Sequence, residues 1–155
     1  MSDQAYQQAL EQGHQPIFEF LSSSLIQGQI AHAYLFVGQS GIGKKEVALN
    51  FLNSIICADK KNRPCLKCQN CQLFNHQANP DFLRVSKKDG KKNITIDQIR
   101  ELISHLSLKP VNWSDKIALI NNVEFLNEKA ANSFLKTLEE PQKDTVIIMT
   151  ATQEN

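Results

Sequence analysis

The sequence predicts an α/β fold in which helices flank a parallel β-sheet, and three observations support this. Four short apolar segments have the character of buried strands, and segments with helical spacing of apolar residues separate them. The glycine-rich segment GQSGIGKK lies between the first strand and the following helix. Strands that alternate with helices need crossover connections, which make the strands parallel and cover both faces of the sheet.

The composition is that of a soluble globular protein. The chain has 155 residues, enough for one domain over residues 1–155, with 41% hydrophobic and 21% charged residues. A net charge of +1 gives no overall field that would indicate nucleic acid or a membrane. The polar N-terminus does not resemble a leader, and no segment approaches the about 20 apolar residues of a membrane helix. We therefore expect a cytoplasmic protein without a membrane partner.

The first half of the chain supplies one strand and up to three helices. Apolar residues recur at roughly helical spacing over residues 4–27, which predicts two helices, and Pro16 suits the first turn of the second. The apolar run 33–37 predicts a strand that ends at Gly38. Residues 44–56 predict the helix that follows the glycine-rich segment.

Residues 57–80 break the periodicity and predict a surface insertion. Residues 81–85 predict a strand and the basic stretch 86–93 a turn. Thr95 and Gln98 form a capping box that begins a helix. The apolar stripe of this helix contains Ile96, Ile99, Ile103 and Leu106.

The last part of the chain completes the alternation. Residues 116–120 predict a buried strand, Asn127 a helix N-cap, and residues 145–150 the last strand. Because the chain stops at Asn155 directly after a strand, we expect a fold that is incomplete at its C-terminus. The inner face of the last helix, which ends before Pro141, should carry Ala130, Ala131, Phe134, Leu135 and Leu138.

The glycine-rich segment predicts a nucleotide-binding loop. In the pattern GxxxxGK, backbone N–H groups at a helix N-terminus surround phosphates, and Lys44 can reach the outer phosphates. Lys45 stands where Ser or Thr usually supplies a hydroxyl to Mg²⁺, and an ammonium has no lone pair to replace it. The predicted nucleotide-binding residues are Gly38, Gln39, Ser40, Gly41, Ile42, Gly43, Lys44 and Lys45.

The second half of such a site is an acidic residue at the end of a neighbouring buried strand. After Ile120 the chain has Asn121 and Asn122, both amides, while Glu124 lies too far along to occupy the strand tip without rearrangement. We therefore expect that ATP or ADP can bind, that Mg²⁺ is poorly coordinated and that hydrolysis is slow. The alternative is that Asn121 is a strand-end hydrogen-bonding residue unrelated to catalysis.

All the cysteines of the chain fall in one short segment. Cys57, Cys65, Cys68 and Cys71 have the spacing C-x7-C-x2-C-x2-C, which is typical of a closed structural Zn²⁺ site. A redox CxxC pair or free thiols are the alternatives. The preferred hypothesis is a four-cysteine zinc module at about residues 57–80.

We predict a solvent-exposed surface role for two basic clusters and structural roles for Trp113 and His32. Trp113 suits a half-buried anchor and His32 a structural histidine. A solvated surface is the favoured interpretation of the clusters, and a zinc-dependent nucleic-acid-binding module is the alternative. The clusters contain Lys60, Lys61, Arg63 and Lys67, and Arg84, Lys87, Lys88, Lys91 and Lys92.

The motifs occur in the order HAYLFVGQSGIGKK, the four-cysteine insertion, ITIDQIRELI and KIALINNVEFLNEKAANSFLKTLEEP. In that order they resemble the AAA+ clamp-loader ATPases of bacterial DNA polymerase III, and most of all the delta-prime branch of this family. The resemblance covers residues 15–155. Its most specific parts are the cysteine insertion and the segments 97–103 and 127–141.

The resemblance implies site residues and an activity. It makes the glycine-rich segment the Walker A loop, Asn121 and Asn122 the altered Walker B positions, Thr152 the sensor 1 residue and the four cysteines the zinc ligands. The ATP-hydrolysing gamma/tau type would have Ser or Thr at position 45 and Asp-Glu at 121 and 122. A structural ring member with weak or no hydrolysis is therefore expected, with a gamma/tau-type ATPase as the alternative.

The resemblance also implies partners. Members of this family form a ring with gamma/tau and delta subunits and load the sliding clamp onto primer-template DNA. The family's Ser-Arg-Cys segment, lid and collar domain would follow Asn155.

Overall fold

The computed structural model describes residues 13–153, in which helices and strands alternate as predicted. The helices are α1 (Gln15–Gln27), α2 (Lys44–Ile56), α3 (Gln69–Asn75), α4 (Ile96–Ser107) and α5 (Glu128–Glu139), with a 3₁₀ turn at Val123–Phe125. The strands are β1 (Ala33–Gly38), β2 (Phe82–Val85), β3 (Lys116–Ile120) and β4 (Thr145–Thr152).

The chain divides into two compact units, residues 1–31 and 32–155. In the first unit, α1 has Pro16 in its first turn and ends at Gly28, whose φ of 67° closes the helix in the left-handed conformation. The other helix predicted within residues 4–27 lies outside the described residues. None of the helices in residues 13–153 has both the length and the apolar character needed to cross a membrane.

The second unit contains a four-stranded parallel sheet with the strand order β1-β4-β3-β2. Gly38 pairs with Thr152, and Val85 pairs with Ile120. The predicted α/β class is confirmed. Because all four strands run the same way, their carboxyl ends lie along one edge of the sheet, which we call the carboxyl edge. The glycine-rich loop and Asn121 both follow strands at this edge.

Helices α4 and α5 cover one face of the sheet. Thr95 accepts from the Gln98 N–H while Gln98 Oε1 accepts from the Thr95 N–H, so the predicted capping box is present. The prediction for α5 was wrong at Leu135, which is 52% exposed because it lies on the outer side of that helix. The buried core on this face contains Val85, Ile94, Ile99, Leu102, Leu106, Ala118, Ile120, Ala130, Phe134 and Ile147.

Helix α2 packs against the opposite face. The ring of Tyr34 in β1 meets Phe51 of α2 edge to face, with 5.1 Å between ring centroids. Tyr34 pairs with Ile148 of β4, and paired residues of neighbouring parallel strands point to the same side. Since side chains alternate along a strand, Thr150 also lies on this α2 face of the sheet.

The insertion holds a helix that the sequence patterns did not predict. Helix α3 begins after Cys68, and its Phe74 stacks on Phe82 of β2 with 4.7 Å between ring centroids. Trp113 is buried with its ring 6.2 Å from Phe74, and His32 Nε2 lies 3.3 Å from the carbonyl oxygen of Leu138. These contacts agree with the structural roles predicted for Trp113 and His32.

A buried ion pair fixes the amino end of the β2–β3 pair. The Asp81 carboxylate lies 2.9 Å from Lys116 Nζ, and the two side chains are 0% and 3% exposed. The same carboxylate accepts hydrogen bonds from the backbone N–H groups of Val111, Asn112 and Trp113. It therefore holds both the start of β3 and the loop that leads into it.

We expect the substitution Asp81→Asn to lower the free energy of unfolding by about 3 to 5 kcal/mol, because it leaves the Lys116 ammonium buried without its counter-charge. Denaturation by urea measures this loss. The exposed Asp89→Asn is the matched control, with an expected change within about 0.5 kcal/mol. Equal losses in the two variants would contradict the role assigned to the ion pair.

The same carboxylate should make stability depend on pH. Burial by itself raises the pKa of Asp81, but the Lys116 ammonium and the three N–H groups outweigh burial and lower it to about 2. The stabilising contribution is therefore present above the ordinary pKa near 4 and is lost as the pH falls through about 2. Between about pH 5 and pH 2 the wild type should lose about 2 kcal/mol more than Asp81→Asn, measured by denaturation. Parallel losses would refute this.

Candidate functional site

The glycine-rich loop connects β1 to α2 and has the backbone geometry that its pattern predicts. Gly41 and Gly43 have φ angles of 80° and 90°, in the left-handed region that favours glycine. Gly43 directly precedes α2, whose first N–H groups have no partner within the helix. The loop therefore joins a strand end to a helix N-terminus at the carboxyl edge, as a phosphate-binding loop requires.

The Lys44 side chain folds back onto this loop. Its Nζ donates to the carbonyl oxygen of Gly38 at 2.8 Å and to that of Gln39 at 2.6 Å. Lys45 is half-buried at the next position and offers no oxygen to a cation. A nucleotide phosphate that recruits Lys44 must replace these two hydrogen bonds.

Asn121 follows β3 at the carboxyl edge and faces Arg84 of β2. The guanidinium has only donors, so the Asn121 amide presents its oxygen to it, and this oxygen accepts from Arg84 Nε at 3.0 Å and from Nη2 at 3.2 Å. The Asn121 N–H donates to the carbonyl oxygen of Val85. The side chain at the predicted Walker B position is thus engaged by a cation of the protein itself.

Asn122 and Glu124 form a second polar group at the ends of β3 and β4. Asn122 Nδ2 donates to Glu124 Oε1 at 2.8 Å and to Thr152 Oγ1 at 3.0 Å. The Asn122 N–H donates to Thr150 Oγ1 at 2.9 Å, and the Thr152 N–H donates to Glu124 Oε1 at 3.2 Å. Thr152, the sensor 1 candidate, therefore lies beside the strand end that carries both asparagines.

Glu124 does not take the position after Ile120, but its carboxylate reaches the end of β4, a contact that the sequence pattern did not predict. The 3₁₀ turn at Val123–Phe125 reverses the chain and returns the carboxylate to the end of β4. Burial raises the pKa of this carboxyl, but the Asn122 amide and backbone N–H donors outweigh burial and lower it. Glu124 is therefore ionised at neutral pH and already holds donors of Asn122 and Thr152.

The four cysteines converge at the other end of α2. Their Sγ atoms all lie within 4.8 Å of one another, so these residues could hold a metal ion. Three of the sulfurs accept hydrogen bonds from backbone N–H groups, with N···S distances of 3.3 to 3.5 Å. The Cys65 N–H donates to Cys57 Sγ, the Cys68 N–H to Cys65 Sγ and the Cys71 N–H to Cys68 Sγ. Such donors stabilise thiolates and orient them around a cation.

The thiols differ in their ease of ionisation. Burial raises the pKa of Cys57 and of Cys71. Burial also acts on Cys68, but hydrogen bonds from the Cys71 and Ala58 N–H groups and from neighbouring thiols outweigh it and lower its pKa to about 6. Cys68 is therefore a thiolate at neutral pH, which is the form that binds metal.

The cysteine cluster is attached to the end of α2. Cys57 is the C-cap residue of that helix, and Asn70 Nδ2 donates to the carbonyl oxygen of Ile56 at 2.8 Å. The glycine-rich loop and the cysteine cluster are thus separated by the 13 residues of α2, about 20 Å of helix. The structure brings together the residues of each predicted site but does not merge the two sites.

Among the basic residues, Lys87 Nζ lies 4.4 Å from the centroid of the Phe125 ring, a cation–π contact. Lys88, Lys91 and Lys92 are exposed on the same turn, in agreement with a solvated surface. Arg84 differs from them in contacting the candidate site. The signal for Arg84 in the sequence was a charged residue inside a four-residue strand. In the structure, Arg84 pairs with Leu119 and lies on the same face of the sheet as Leu119, two register positions from Asn121.

The chain is similar to several proteins of bacterial DNA replication. It is 34% identical over 132 residues to the DNA polymerase III subunit delta' of Pseudomonas aeruginosa, covering 82% of the chain and 39% of that protein. It is 34% identical over 137 residues to the delta' subunit of Bacillus subtilis, covering 88% of the chain and 41% of that protein. The chain thus spans about two fifths of the length of these curated relatives.

Subunits with other names are similar too. The tau/gamma subunit of Haemophilus influenzae is 32% identical over 90% of the chain and 20% of its own length. A gamma subunit-related protein from Thermotoga maritima superposes with a TM-score of 0.61 at 23% identity, over 87% of the chain and 39% of that structure, which supports the fold. The sequence model of the family described as DNA polymerase III, delta subunit matches residues 13–155, and the chain therefore belongs to that family.

Proposed function

We propose that the protein is a delta-prime-like subunit of the DNA polymerase III clamp loader and contributes to the ring by its structure and not by hydrolysing ATP. The observation that carries this proposal is the end of β3, where Asn121 and Asn122 stand at the two positions that carry acids in the hydrolysing type. The Asn121 oxygen accepts hydrogen bonds from Arg84, and the Asn122 amide nitrogen donates to Glu124 and Thr152.

The chemistry supports the absence of turnover. Phosphoryl transfer in such sites depends on a metal that neutralises the charge on the phosphates, held by a loop hydroxyl and a strand-end carboxylate. Both anchors are missing here, at positions 45 and 121. A metal contributes several kcal/mol to transition-state stabilisation, and each roughly 1.4 kcal/mol is tenfold in rate, so hydrolysis should be slower by orders of magnitude.

The names of the relatives suggest the partners. Subunits called delta', tau/gamma and gamma are among the proteins that the chain is similar to. We infer that the full-length protein joins tau/gamma and delta subunits in one ring and reaches the sliding clamp and primer-template DNA through that complex. ATP or ADP, if bound, would have a structural role in the ring.

We also propose that the four cysteines hold a structural Zn²⁺. A tetrahedral site with Zn–S bonds of about 2.3 Å places its sulfurs about 3.8 Å apart, which is compatible with four Sγ atoms that all lie within 4.8 Å of one another. The set of four sulfurs and the N–H donors directed at three of them fit this ion. With four protein ligands no position is left for a substrate, so the ion's role would be to hold the insertion against α2.

The zinc proposal is tested by Cys65→Ser, which removes one ligand that is only half-buried. Elemental analysis should give about one Zn²⁺ per wild-type chain and clearly less in the variant, with a lower midpoint of thermal unfolding. Lys67→Ser, an exposed residue of the same loop, is the control and should keep both the metal and the midpoint. Wild-type protein purified without chelator that contains clearly less than one Zn²⁺ would refute the proposal.

The function is tested with the full-length protein and purified tau/gamma and delta subunits. We expect the protein to enter the ring, measured by size-exclusion chromatography with light scattering, in the absence of any nucleotide. Its own steady-state phosphate release should be at background, and Lys44→Ala should not change it.

Two results would overturn the function proposal. Failure to join the ring would remove the assembly role. Phosphate release above background that Lys44→Ala abolishes and Lys45→Ala retains would support the rival hypothesis, an active ATPase that tolerates Lys45 and uses Asn122 or Glu124 through water-mediated metal contacts.

A further inference from the structure

A cation of the protein contacts the side chain at the predicted Walker B position. The Arg84 guanidinium approaches the Asn121 oxygen through two nitrogens, at 3.0 Å and 3.2 Å. This two-point contact orients the planar group, which a single hydrogen bond would not do. Position 121 is also the strand-end position from which an acidic residue would hold Mg²⁺.

The sheet places this contact on the face that α2 covers. Arg84 pairs with Leu119 in register, so Leu119, Asn121 and Arg84 share one face of the sheet. Val85 and Ile120, their neighbours along the strands, point into the core beneath α4 and α5. Arg84 therefore lies on the face covered by α2, the helix that begins with Lys44.

We propose that Arg84 is the resident cation of position 121 and that it excludes a divalent metal from the carboxyl edge. The inference rests on the proposed function, in that it explains why the site does not use metal. It adds a barrier that the altered residues 45 and 121 do not contain: restoring the hydroxyl and the carboxylate does not restore metal binding while Arg84 is present.

The physical reason is competition for the same lone pairs. An aspartate at position 121 would place one carboxylate oxygen at hydrogen-bond distance from two guanidinium nitrogens and form an ion pair with Arg84. Mg²⁺ sheds its water reluctantly and demands near-octahedral geometry, so it would have to displace the guanidinium and also tolerate its charge nearby. Arg84 already has the position and orientation for this pairing, without any movement of the backbone.

A stability cycle tests the contact. We expect Asn121→Asp to raise the midpoint of thermal unfolding in the wild-type background, because it turns a neutral hydrogen bond into an ion pair. In the Arg84→Met background, which keeps the apolar stem and removes every donor, the same change should lower the midpoint. The control background is Lys87→Met, an exposed cation that faces Phe125, where Asn121→Asp should act as in the wild type. Equal shifts in the wild-type and Arg84→Met backgrounds overturn the proposal.

A metal titration tests the exclusion. The double variant Lys45→Thr/Asn121→Asp should bind a fluorescent ADP with the same affinity with and without Mg²⁺. Adding Arg84→Met should make binding about tenfold tighter in Mg²⁺, the gain expected from one new metal-mediated contact of about 1.4 kcal/mol. A Mg²⁺ response in the double variant, or none in the triple variant, overturns the proposal. Both measurements use the protein without its ring partners, so a failed ring assembly and a failed metal exclusion are distinguishable.

Discussion

The ion pair between Asp81 and Lys116 sets the alignment on which the candidate site depends. It lies at the amino end of the β2–β3 pair, where the Ile117 N–H also donates to the Asp81 carbonyl oxygen. Strand register is a discrete quantity, and a slip by one residue would turn every side chain to the other face. With this end fixed, Arg84 and Asn121 meet on the same face at the other end of the two strands. The buried ion pair at the amino ends of β2 and β3 thereby helps to set the register that brings Arg84 and Asn121 together at their carboxyl ends.

Helix α2 connects the two chemically distinct regions of the chain. Lys44 at its first turn closes back on the glycine-rich loop, and Cys57 at its end belongs to the cysteine cluster. Most of the residues between them are buried, so the helix cannot shift without disturbing the sheet that it covers. The insertion is joined to the sheet a second time, through the stacking of Phe74 on Phe82. The insertion that carries the cysteine cluster therefore connects the end of α2 to the start of β2.

Much of the fold could be predicted because strong local signals coincide with its boundaries. The bounds of α2 and β3 were predicted correctly from apolar spacing, and Thr95 with Gln98 fixed the start of α4. Helix α3 was missed because its seven residues give too short a pattern, and its position depends on aromatic packing against β2. The contact of Glu124 with the end of β4 was not predicted because it follows from a 3₁₀ turn. The Arg84–Asn121 contact arises only from the register between strands that are distant in sequence. Local patterns predict elements, whereas the site depends on how their ends are juxtaposed.

The backbone at Asn122 bears on how this branch of the family could change. Asn122 has φ 58° and ψ 68°, a left-handed conformation that asparagine tolerates better than most other residues with a side chain. A glutamate restored at this position would therefore meet a backbone cost of roughly 1 kcal/mol before any catalytic benefit arose. It would also lack the amide N–H groups that now bind Glu124 and Thr152. A single substitution to an acidic residue at position 122 would therefore cost stability twice, through the backbone conformation and through the lost hydrogen bonds.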